Sequence, residues 1–232
     1  MSSPTLQVCR ECGGGAPVDA HFCSQCSKIL TLGRHGDYFA FLGLPRKLGI
    51  DAEDLEQRFR GLSRKFHPDY FYNAAPAERR ASLERSSYLN DAYRTLKQPI
   101  TRIEYLLQVE GLAPKNPQEA SRQVPPALLE EVFALNEELD EIRELRSGGA
   151  PAETWKSRLE RARRPIEAKR VEHEAQLQAL SARWDALVDA RATVGDRRAV
   201  NEALEALRDR FLERNYITNL LAGIEREIAA DT

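Results

Sequence analysis

The sequence predicts an all-α protein: a helical hairpin, then an antiparallel three-helix bundle, with a small tetracysteine metal knuckle in front. Three observations carry this expectation. Apolar residues recur at helical spacing through most of the chain after residue 37. Short links rich in Gly and Pro separate the long amphipathic stretches, which suits antiparallel neighbours. All four cysteines lie in the first 26 residues, as Cys9-x-x-Cys12 and Cys23-x-x-Cys26, and a disulfide scaffold would spread them through the part being stapled.

The elements follow in order. Residues 1–34 form the metal-binding head: Gly13-Gly14-Gly15, Pro17 and Gly33 punctuate it, and only Val8, Phe22, Ile29 and Leu30 are available to pack. A unit this small needs a staple, and the cysteines supply it. Residues 37–112 hold a short helix around Tyr38 to Leu42 and a basic helix from Ala52 to Phe66. A long helix follows between Pro76 and Pro99, with Leu89, Ala92, Tyr93 and Leu96 as its core stripe, then a short one from about Ile100 to Val109. A Pro-containing linker spans 113–124. The bundle occupies 125–232. Its first helix repeats Leu128, Val132, Leu135, Leu139 and Ile142 and stops at Ser147-Gly148-Gly149-Ala150-Pro151. Its second, from Ala152 to about Ala192, contains Pro165, which is expected to kink or interrupt it. Gly195 and Asp196 then end one helix and cap the last, where Val200, Leu204, Leu207, Phe211, Leu221, Ile224 and Ile228 turn inward.

Composition bounds the function. The chain of 232 residues has room for two modest domains and an appendage. A net charge of −2 and a pI of about 6.2 imply no general attraction to nucleic acid or to an anionic membrane. Charged residues at 30% and a mean hydropathy of −0.53 describe much solvated helical surface. No apolar run approaches the ~20 residues that span a bilayer. The stretch Met1–Val8 is short and uncharged for an address signal, so a cytoplasmic location is expected, or the mitochondrial matrix for a eukaryotic chain with its transit peptide removed.

The basic helix carries the strongest functional signal. Leu55, Phe59, Leu62 and Phe66 form one apolar stripe, with Arg58, Arg60, Arg64 and Lys65 off it, facing water. Asp51 suits the N-cap, with Asp54 in the first turn near the positive end of the dipole. Pro68 biases His67 away from helical geometry, so the helix ends there and leads into a stiff loop displaying His67, Pro68 and Asp69. His67 beside Asp69 invites a general-base reading, but no nucleophile, phosphate loop or second acid accompanies them, and catalysis is not expected.

A basic helix running into His67-Pro68-Asp69 resembles the J-domains that stimulate ATP hydrolysis by DnaK-type chaperones. Three further stretches narrow the resemblance to the HscB co-chaperones of iron–sulfur cluster assembly: Asp37-Tyr38-Phe39-Ala40-Phe41-Leu42-Gly43-Leu44-Pro45, Arg102-Ile103-Glu104-Tyr105-Leu106-Leu107 and Asn136-Glu137-Glu138-Leu139-Asp140-Glu141-Ile142. The likeness covers roughly residues 37–232, and the tetracysteine head resembles that of some longer members. The resemblance implies that residues 37–112 are a J-domain and that His67, Pro68 and Asp69 contact a DnaK-type (HscA-like) chaperone. Arg58, Arg64 and Lys65 would meet an acidic surface on it; without the tripeptide these cations would read as an ordinary solvated face. Tyr70 stands where many members place Lys.

In the bundle the resemblance implies a surface for an IscU-like iron–sulfur cluster scaffold protein. Leu129, Phe133 and Phe211 would be its apolar anchors and Glu137 a polar partner, with Glu130 and Ala134 departing from a common Met and Glu. Phe211 reads equally well as bundle core. The first bundle helix is acidic, with Glu130, Glu131, Glu137, Glu138, Asp140, Glu141 and Glu144 against Arg143 and Arg146. Such a run is most often a solvated face.

Cys9, Cys12, Cys23 and Cys26 suit a structural zinc ion, because two Cys-x-x-Cys knuckles point four thiolates at one tetrahedral centre. Four thiolates hold iron as well, so iron stays open. His21 is expected to pack and not to ligate. The expected function is a non-enzymatic co-chaperone that stimulates the chaperone's ATPase and delivers the scaffold protein to it for cluster transfer. Two rivals remain: a general J-protein adaptor whose metal head binds another partner, and a thiol-based metal or redox sensor. Nucleic acid is a poor fit for the head, which before residue 37 has only Arg10, Lys28 and Arg34 as cations and Phe22 as its aromatic.

Overall fold

The computed structural model describes residues 6–32, 37–113, 125–190 and 197–229. It divides into two compact units, Met1–Val109 and Glu110–Thr232. The linker beyond residue 113, Gly33, Gly195 and Asp196 lie outside the described residues.

The first unit joins the tetracysteine head to four helices. In the head, β1 (Leu6–Val8) pairs antiparallel with β2 (Gly15–Pro17), Gln7 opposite Ala16. Val8 does not pack: residues 6 and 8 share the outer face of the hairpin and both are exposed. Ile29 and Leu30 are buried as expected, and Leu30 clusters with Cys9, Ala16 and Cys23. The helices are α1 (Tyr38–Phe41), α2 (Ala52–Phe66), α3 (Pro76–Lys97) and α4 (Pro99–Val109). Asp37 and Asp51 cap α1 and α2 as their side chains accept the N–H groups of Ala40 and Asp54, each at 2.8 Å. α2 and α3 form the hairpin, and Phe59 stacks on Tyr93 between them with ring centroids 4.3 Å apart. α1 returns against α4: Tyr38 stacks on Tyr105 at 4.3 Å, and its backbone N–H donates to the Tyr105 hydroxyl at 2.9 Å. Buried Arg102 donates to the Leu96 and Leu48 carbonyls, which ties α4 to the α3 end and the loop before α2.

The second unit is α5 (Leu129–Ser147), preceded by a 3₁₀ turn at Pro126–Leu128, then α6 (Ala152–Asp189) and α7 (Arg197–Ala229). Cross-helix ion pairs establish the antiparallel order: Glu131 meets Lys169 while Glu138 meets Arg158, and Glu213 faces His173 while Glu225 meets Arg163. Leu128, Val132, Leu135 and Ile142 close a core with Trp155, Leu159 and Ile166 of α6 and Ile217, Leu221 and Ile224 of α7. The antiparallel three-helix bundle stands as expected, and two details refine it. Pro165 neither breaks nor ends α6, which runs on to Asp189 with the ring turned toward a cleft between α5 and α6. The three helices lie together only over half of α6: the start of α5 is level with Lys169, and past that point the unit continues as the α6–α7 pair. Among the described residues, no helix is long and apolar enough to cross a membrane.

Candidate functional site

Two knuckles of the same design build the metal centre. In the first, Cys9 N–H donates to the Gly14 carbonyl at 2.8 Å and Gly13 N–H returns to the Cys9 carbonyl at 2.9 Å. In the second, Cys23 N–H donates to the Lys28 carbonyl and Ser27 N–H to the Cys23 carbonyl, both at 2.9 Å. Each turn passes through a left-handed residue, Gly13 at φ +71° and Ser27 at φ +58°. The four Sγ atoms lie within 4.8 Å of one another, with Cys9 to Cys26 and Cys12 to Cys23 at 3.7 Å. A tetrahedron with metal–sulfur bonds of about 2.3 Å has edges of about 3.8 Å, so the residues present fit such an ion. The N–H groups of Cys26 and Gln25 stabilise the Cys23 thiolate and bring its pKa down to about 7. His21 stands apart from the sulfurs. Burial first and then the Arg85 charge hold its imidazole down to about 4, so it is a neutral acceptor for Arg85.

The exposed tripeptide sits at the end of α2. His67 leaves helical geometry at φ −57°, ψ 126°, and Pro68 opens a 3₁₀ turn over Pro68–Phe71. His67 Nδ1 accepts the Asp69 N–H at 3.3 Å and lies 3.5 Å from the Asp69 carboxylate, and the two side chains are 52% and 86% exposed. Tyr70 and Tyr72 are both exposed beside it, and Tyr70 meets the His67 ring edge-on at 6.1 Å. The turn hangs from a buried anchor. Phe66 has no exposed surface, and its carbonyl accepts hydroxyl hydrogen bonds from Ser82 at 2.7 Å and Ser86 at 3.0 Å.

The three cations expected near this turn divide. Arg64 and Lys65 are exposed. Arg58 is half-exposed and tied down: its Nε donates to the Asp54 carboxylate at 2.9 Å, and its Nη1 donates to the Leu42 and Gly43 carbonyls at 3.2 and 2.8 Å. It braces α2 against the turn after α1. Gly43, at φ +67°, accommodates that approach, since a Cβ there would meet Nη1 at 3.1 Å.

In the bundle unit, Leu129, Phe133 and Glu137 recur every four residues on the outer side of α5 and are exposed, Phe133 at 71%. Phe211 does not join them. It is 3% exposed and belongs to the interior, as its place on the inward stripe of α7 with Leu204 and Leu207 requires. The acidic run on α5 also divides: Glu131, Glu138 and Glu141 are held by Lys169 and Arg158, Asp140 by Arg143, and Glu130, Glu137 and Glu144 stay exposed.

One functional element escapes a reading by apolar periodicity. Glu78, Ser82 and Arg85 are buried along one face of α3. Arg85, 2% exposed, donates to the head's Leu30, Thr31 and Ala20 carbonyls at 2.7, 3.2 and 3.3 Å and to His21 Nδ1 at 2.8 Å. Glu78 accepts from Lys28 at 2.9 Å. The available signal was polar residues at helical spacing (78, 82, 85), which without a partner in view read as solvent-facing.

No family model matches the chain. Among solved structures, human co-chaperone protein HscB is similar at 24% identity and a TM-score of 0.65, with 95% of this chain and 98% of that one covered. The chaperone HscB from Vibrio cholerae is similar at 26% identity and a TM-score of 0.54, over 85% of this chain and 100% of that one. With its cysteine tetrad set ahead of the helices, the chain has the fold of the HscB co-chaperones.

Proposed function

We propose that this protein is a J-type co-chaperone of iron–sulfur cluster assembly that works by binding and performs no catalysis itself. The observation that carries the reading is the His67-Pro68-Asp69 turn, displayed at the end of a basic helix within an HscB fold. The exposed Asp69 carboxylate engages a cation on an HscA-like DnaK-type chaperone, while Pro68 keeps the turn in shape. Arg64 and Lys65 steer the encounter with an acidic surface, which sets orientation and association rate more than affinity. The Leu129–Phe133–Glu137 face holds an IscU-like scaffold protein through an aromatic anchor with a polar neighbour. The two ends thus bring the scaffold to the chaperone, whose ATP cycle drives cluster release. The tetracysteine centre takes zinc, which when bound supplies the cross-link that so small a head lacks.

Single-turnover ATP hydrolysis by the DnaK-type chaperone of the same organism tests this. Stimulation is expected with the wild type, a further rise when the scaffold protein is added, and none with Asp69→Asn. An equal effect from Asp69→Asn removes the chaperone role. Indifference to the scaffold leaves a general J-protein.

A further inference from the structure

The head is wired to the base of the His-Pro-Asp turn. Phe22 stacks on Phe66 at 6.0 Å, and His21 meets Phe66 and Phe41 edge-on at 5.0 and 4.8 Å. The Arg85 guanidinium lies over the Phe66 ring at 5.7 Å while its donors reach the head. Phe66 immediately precedes His67, and its carbonyl is the anchor held by Ser82 and Ser86, one residue pair around Arg85 on α3. A single buried side chain therefore touches both the head's backbone and the residue from which the turn hangs.

We infer that a metal ion held by Cys9, Cys12, Cys23 and Cys26 keeps the His-Pro-Asp turn in shape through Arg85, so that losing the ion loosens the turn. The carbonyls that receive Arg85 belong to Ala20, Leu30 and Thr31, which flank the second knuckle. Apart from the cysteines, the head's buried apolar residues are Ala16, Ile29 and Leu30. Residues with so little apolar area hold their shape only when cross-linked. When the cross-link goes, the carbonyl array disperses, and a buried guanidinium loses its acceptors. Such a group cannot remain where it is, because an unmatched buried charge is costly. As Arg85 moves toward water it leaves the Phe66 ring, and Phe22 and His21 leave with the head. Phe66 is then bared on one side, directly before His67. Arg85 is in this sense a positioning residue: it touches no partner and acts through Phe66. The consequence for chaperone stimulation rests on the function proposed above; the coupling itself does not.

Amide hydrogen exchange on the full chain, metal-loaded and after stripping with a high-affinity chelator, tests the coupling without any chaperone. In the wild type, stripping is expected to speed exchange across Phe66–Tyr72 by roughly tenfold, with α4 unchanged. In Arg85→Leu with metal bound, the same segment should exchange fast already and respond no further to the chelator. Should that variant fail to fold, His21→Ala/Phe22→Ala leaves every helix residue intact and is expected to raise exchange at the turn while the head keeps its metal. A turn whose exchange stays constant while the stripped head loses protection overturns the inference. So does a chelator response in Arg85→Leu equal to that of the wild type. Chaperone stimulation by loaded and stripped protein is the second arm, with several-fold more stripped protein expected for half-maximal effect. Absence of stimulation by both forms rejects the proposed function and leaves the exchange result standing.

Discussion

Ser82 Oγ donates a 2.7 Å hydrogen bond to the carbonyl of Phe66, with both residues fully buried, so α3 grips α2 at the last residue before the exposed turn. A carbonyl has two lone pairs, and Ser86 takes the second. Ser82→Ala is therefore expected to cost about 1 kcal/mol of stability. Ser82→Ala/Ser86→Ala leaves the buried carbonyl with neither hydroxyl and is expected to cost more than the two single changes together. Urea unfolding of the four proteins of the cycle reads both effects.

Arg58 and Lys65 lie on the same helix and are expected to fail differently. Arg58→Ala releases the Leu42 and Gly43 carbonyls and should lower stability by about 1 kcal/mol. Lys65→Ala removes an exposed cation and should leave the melting temperature in place. Its effect falls on the association rate with the chaperone, which should slow, and the difference from wild type should shrink as salt is raised. Stopped-flow association at two ionic strengths, beside thermal melts, separates the two.

Phe133 and Phe211 make the corresponding pair in the bundle. Phe133→Ala is expected to change stability by less than about 0.5 kcal/mol while weakening scaffold-protein binding at least about tenfold. Phe211→Ala removes a buried ring and should cost about 3–5 kcal/mol. Calorimetric titration with the scaffold protein and denaturant curves give the contrast directly.

His173 supplies a pH dependence to the bundle unit. It is buried, and burial first, then the Arg210 charge, lower its pKa below the ordinary 6.5. Above 6.5 the imidazole is neutral in both states, and its contribution is complete. As pH falls below that value the unfolded chain takes up the proton first, so stability drops until the lower folded-state value is reached. Glu213, 3.4 Å away, has the opposite sign: burial raises its pKa, so its contribution grows as pH falls toward 4.5. His173→Gln should flatten the acid loss and expose the Glu213 slope. Both tryptophans, Trp155 and Trp184, are buried in this unit, and their fluorescence follows it alone.

Local physics decided what the sequence by itself determined. The caps at Asp37 and Asp51, the stop at His67-Pro68, the two cysteine knuckles and the 128/132/135/142 stripe each depend on neighbours within a turn or two, and each stands where spacing placed it. The family likeness read from the tripeptide and its flanking stretches has its counterpart in the fold, where Tyr38 of one stretch stacks on Tyr105 of another. Only the tertiary structure decided the rest. Pro165 reads as a kink or an interruption, and the structure decides against the interruption, since packing on both sides carries α6 through it. Arg85 and Glu78 are buried charges that one-dimensional patterns assign to water, and half-exposed Arg58 is held by backbone; which carbonyls and side chains arrive from distant segments decides each case. Phe133 and Phe211 are the same residue type on helices of the same period, and only the packing of the helices puts one outside and the other in.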